Sequence, residues 1–132
     1  MTRLPARLLV LLFLTGGAAG AVVIFLFDPA QHNFYPLCYL RAVTGLNCPG
    51  CGAMRAIHQL LHGHIAAAAR LNLLLLLSLP FSAWWAIRSG AAWIQGQPTA
   101  FSIRPFWIWT FLAVASVFTV LRNLPGFEWL AP

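Results

Sequence analysis

The chain has 132 residues, 61% hydrophobic and only 8% charged, with a mean hydropathy of +0.80; soluble domains are about 45–50% apolar and about 25% charged, so composition argues against a water-soluble fold and against disorder. The net charge of +6 comes from eight arginines and no lysine, set against Asp28 and Glu128. These arginines stand singly between apolar runs, which suits topology determinants and headgroup contacts and excludes a nucleic-acid footprint.

The pattern predicts one integral membrane domain over 1–132, an all-α fold with about three transmembrane helices. A short amphipathic or re-entrant helix follows a cysteine motif loop. The first span is expected at about 8–27, after Arg3 and Arg7 and before Asp28-Pro29. Ala18 to Ala21 resembles a signal-peptide cleavage site, but the apolar run continues through Phe27, which favours a retained anchor. Residues 28–70 form the motif loop and short helix, with all three cysteines and all four histidines. Met54, Ile57, Leu61 and Ile65 recur at helical spacing, with Arg55, Gln59 and His62 on the other side.

The second span is expected at about 71–87, extended backward by Ala66 to Ala69, with a kink at Pro80 and Trp84-Trp85 at the membrane boundary. Arg88 to Arg104 reads as a connector containing Gly90, Gly96 and Pro98. The third span is expected at about 105–121 and is closed by Arg122-Asn123-Leu124-Pro125. Arg3 and Arg7 at the start of the first span place the N-terminus inside and the motif loop on the external face.

Cys48-Pro49-Gly50-Cys51 carries the chemistry, with Cys38 ten residues upstream. Three readings stay open. A redox dithiol would use Cys48 or Cys51 as nucleophile, with Arg55 one turn away favouring the thiolate. A zinc site would draw on Cys38, Cys48, Cys51 and His58, although His58 lies about 10 Å along the helix from Cys51. A structural disulfide, or thiols buried in a tight turn, is the third. His58 and His62 read as a solvated helix face. Asn72, at the mouth of the second span, is expected to bond between helices or cap a broken one. An arginine such as Arg122 is the expected partner of Asp28. No Ser-His-Asp set, paired carboxylates, phosphate loop or dinucleotide fingerprint is present.

Asp28-Pro29, Tyr35-Pro36, Cys38, Gly45-Leu46, Cys48-Pro49, Cys51-Gly52, Arg55-Ala56, Gly63, Ala67, Asn72, Arg122-Asn123 and Pro125 together resemble a bacterial family of small membrane proteins, domain of unknown function 2752. Met54 and Leu73 depart from the family pattern, which has Thr and Pro at those places. The resemblance implies a multi-pass protein of the cell (inner) membrane, with Cys38, Pro49, Gly52, Asn72, Arg122 and Asn123 as motif residues. It implies no activity. The reading favoured is a non-enzymatic binding module whose cysteine-organised loop meets lipid or a membrane-protein partner, with zinc as the cofactor the cysteines would accept.

Overall fold

The computed structural model describes residues 6–95 and 104–132, in which every regular element is helical. These are α1 (Ala6–Leu26), α2 (Tyr39–Thr44), α3 (Ala53–Leu61), α4 (Ile65–Leu71), α5 (Leu73–Ile94) and α6 (Pro105–Leu121), with a 3-10 turn at Glu128–Leu130. The expected all-α architecture is therefore found. Arg3 and part of the expected connector, including Gly96 and Pro98, lie outside the described residues.

The long helices α1, α5 and α6 are apolar around their whole circumference, and their side walls are open: Phe13 is 82% and Trp109 70% exposed. Among the described residues one segment, Leu73–Ala92 of α5, is long and apolar enough to cross a membrane by length and composition. The apolar stretches Val10–Leu26 of α1 and Pro105–Leu121 of α6 are shorter. At about 1.5 Å per residue they fall a few ångströms short of a hydrocarbon core of about 30 Å. Length alone thus supports one of the three expected spans.

Local chemistry explains the breaks. After α1, the Asp28 carboxylate accepts the Ala30 N–H at 2.8 Å, and the Tyr35 hydroxyl donates to Phe27 O at 2.7 Å, tying the loop to the helix end. Among the described residues no arginine pairs with Asp28; the Gln31 side chain donates to it instead. Gly63, at φ +79, turns the chain between α3 and α4. These two helices pack closely, and Ala56 and Ala68 are fully buried because small side chains let the backbones approach.

The second expected span begins differently from the sequence reading. Ala66 to Ala69 belong to α4, which stops at Asn72, where the backbone is extended (φ −159°, ψ 92°). The Asn72 Oδ1 then accepts the Leu75 N–H at 2.9 Å, capping α5. A side chain that competes for backbone donors has cut one expected helix into two. α5 continues through Pro80 and on to Ile94, so Arg88 is helical and no connector starts there. Its guanidinium lies 5.7 Å from the Trp84 ring, one turn back. α6 has the expected bounds, with Pro105 in its first turn.

The buried core is small and lies at the motif. Among the described residues it comprises Cys51, Ala56, Ala68, Asn72, Phe118, Arg122 and Leu130. Two of these are strongly polar. That is unusual for a core, and it directs attention to what they hold.

Candidate metal centre

The Cys48–Cys51 segment closes as a turn in which the Cys51 N–H donates to Cys48 O at 3.1 Å and the Ala53 N–H to Gly50 O at 3.0 Å. Gly52 follows at φ +80 and starts α3. A Cβ on Gly52 would lie 2.6 Å from Leu71 O and 2.6 Å from Pro132 Cβ, so this position requires glycine for conformation and for space. On its outer side, Pro49 and Gly50 border a cavity of about 230 Å³ walled by α5 and α6.

Three side chains distant in sequence hold the carbonyls of this turn. Asn72 Nδ2 donates to Pro49 O at 2.9 Å and to Cys51 O at 3.2 Å. Arg122 Nη1 donates to Cys48 O at 2.8 Å and Cys51 O at 3.2 Å. Asn123 Nδ2 donates to Asn47 O at 2.9 Å, while its Oδ1 accepts the Asn47 N–H at 2.8 Å. Each satisfies a backbone group that the tight turn leaves without a helical partner.

The cradle positions the sulfurs. Cys48 Sγ is 3.2 Å from Cys38 Sγ and 3.2 Å from Cys51 Sγ, and all three Sγ atoms lie within 4.8 Å of one another. The Cys48 N–H also points at Cys51 Sγ, at 3.2 Å. The thiols differ in character. The Arg41 backbone N–H, then the Cys48 and Cys51 thiols, hold Cys38 down at about 7. Burial, then the neighbouring thiols, pushes Cys51 up to about 11.

The other sequence candidates fall elsewhere. His58 does not join the cysteines; its Nδ1 is 2.6 Å from Ile24 O of α1. His62 stacks on Phe25 at 4.4 Å between ring centroids. The two histidines thus contact α1, His58 half-buried and His62 exposed. Arg55 is half-buried and makes no hydrogen bond or ion pair among the described residues. The cation at the turn is Arg122, which donates to the Cys48 and Cys51 carbonyls; burial acts most strongly against its charge, and the nearby Cys51 and then Cys48 act in the opposite sense. Sequence spacing favours Arg55 because it is one turn from Cys51. It has no means of bringing residue 122 to the same place.

Comparison with known families bears on this same segment. Residues 38–86 match the family model described as Protein of unknown function (DUF2752). The matched stretch contains the three cysteines, Gly52 and Asn72, so the family suspected from the sequence is matched over that stretch. Arg122 and Asn123, which complete the cradle, lie beyond it. No curated protein and no solved structure gave a match.

Proposed function

We propose that the protein is a small multi-pass membrane protein whose motif face binds a zinc ion through Cys38, Cys48 and Cys51, as a metal-organised docking module of the cell membrane. The observation that carries this reading is the meeting of three thiols from two separate segments within 4.8 Å. Tetrahedral zinc with Zn–S bonds of about 2.3 Å sets its sulfurs about 3.8 Å apart, a spacing reached here by shifts of under about 1 Å. Zinc would clip the residue 38 loop to the residue 48–51 turn and stiffen the face that meets lipid or a membrane-protein partner. α1 and α6 join α5 as the spans in this reading, supported by their open apolar walls. The N-terminus lies inside and the motif face outside.

Native mass spectrometry and elemental analysis of the full chain, extracted in detergent under reducing conditions, test the proposal. The expected result is one zinc per chain, removable by chelator and lost in Cys48→Ser. A metal-free native mass with three free thiols would overturn it.

A second reading rests on the 3.2 Å approach of the Cys38 and Cys48 sulfurs, with hydrogen bonding from the Arg41 N–H and the neighbouring thiols holding Cys38 down at about 7. A Cys38 thiolate would attack a partner disulfide and expel one partner thiolate. Cys48 would then give up its proton and attack the Cys38 sulfur, releasing the second thiolate and leaving Cys38–Cys48 oxidised by two electrons. The same mass measurement separates the two readings, since oxidation removes two hydrogens and adds no metal.

A further inference from the structure

Arg122 is 2% exposed, the one buried charged side chain among the described residues. Only Nη1 is engaged; Nε and Nη2 are buried without a hydrogen-bond partner. A buried charge without compensation is strongly unfavourable, and an acid is the usual remedy. Among the side chains described, no carboxylate reaches it. Asp28 is committed to Ala30 and Gln31 after α1. Burial, and to a lesser extent Arg41, disfavour the charge on Arg122, while Cys51 and Cys48 favour it. The Phe118 ring, 5.0 Å from the guanidinium carbon, covers one face and does not neutralise it.

We propose that Arg122 is the counterion of the metal–thiolate cluster, so that the occupied site is neutral as a whole. A divalent cation on three ionised cysteines leaves one net negative charge, and the guanidinium balances it. This rests on the zinc reading above. Arg122 touches no metal; it is a positioning residue that orients the Cys48 and Cys51 carbonyls and supplies the opposite charge. Groups behind metal ligands commonly change affinity about 10–100-fold when removed. The structural role and the charge role make different predictions, because a cluster with only two thiolates is already neutral with a divalent ion.

The test uses the full chain in detergent, stripped of metal under reductant. It is titrated with zinc against a chromophoric chelator, and separately with cobalt(II) to read its thiolate charge-transfer bands. R122M should weaken zinc binding about 10–100-fold, and R122K, which keeps the charge, should recover most of that loss. In a Cys38→Ser background, the further loss from R122M should shrink to well under tenfold. Equal losses in both backgrounds, or R122K as weak as R122M, would make Arg122 a hydrogen-bonding anchor only and overturn the proposal. Wild-type binding with R122M unaffected would overturn the counterion alone. Absence of zinc and cobalt binding by the wild type would overturn the zinc reading as well. If R122M does not fold, the cobalt spectrum of R122K decides: retained thiolate bands support the proposal and their loss overturns it.

Discussion

Replacing Gly52 by alanine probes the tightest surroundings of any described glycine, and two other glycines supply its controls. Gly52 has φ +80, and an added Cβ would meet Leu71 O and Pro132 Cβ, each at 2.6 Å. The left-handed backbone costs an L-residue about 1–2 kcal/mol. Overpacking against a backbone carbonyl adds about 1–3 kcal/mol, for a total of about 2–5 kcal/mol. Gly63 shares the backbone state, at φ +79, but has nothing within 4 Å of its Cβ position. Gly63→Ala should therefore show only the backbone component, about 1–2 kcal/mol. At Gly50 the φ is not positive, and the Cβ would make ordinary contact with Cys48 Sγ at 3.8 Å. Gly50→Ala should be within about 0.5 kcal/mol of wild type. The assay is thermal unfolding of the full chain in one detergent, followed by helical circular dichroism. If Gly52→Ala and Gly63→Ala melt together, the crowding argument at the motif turn fails.

Other outcomes follow from the cradle and its thiols. Asn72→Ala removes the cap of α5 and two donors to the motif turn and should destabilise by about 2–4 kcal/mol in the same melt; Asn72→Asp, which keeps the capping oxygen, should recover part of that. In metal-free protein, thiolate fraction rises with pH through each group's pKa. Alkylation mapped by mass spectrometry should therefore reach half its limiting rate at Cys38 near pH 7, while Cys51, pushed up to about 11, stays protected until far more alkaline pH; faster labelling of Cys51 at neutral pH would contradict the geometry. Chelator treatment should lower the melting temperature and make Cys38 and Cys48 alkylatable together, and no change on chelation would count against a bound ion. Asn123→Ala should loosen the Asn47 end of the turn, read as faster hydrogen exchange at the Asn47 and Cys48 amides.

Much of this protein follows from short-range chemistry, and that part is readable along the chain. The apolar runs that become α1, α5 and α6, the stop at Asp28-Pro29, the turn at Cys48 to Gly52 and the start of α6 at Pro105 depend on neighbours within a few residues. Steric and hydrophobic preferences act at that range. The importance of Cys38, Cys48, Cys51, Asn72 and Arg122 could be read from residue type and motif. Their partners could not. Ala66 to Ala69 look like part of a span until Asn72 is seen capping α5 and bonding the turn. His58 looks available to a metal until α1 is placed beside α3. Arg55 looks like the cation of the site because it is near in sequence. Arg122 takes that place because α6 ends against the turn, which covers the guanidinium from solvent. Helix formation and apolar spans are local properties of the residues. The meeting of three thiols in a turn whose carbonyls a buried arginine holds depends on how four segments pack, and only their closure decides which side chain reaches the turn.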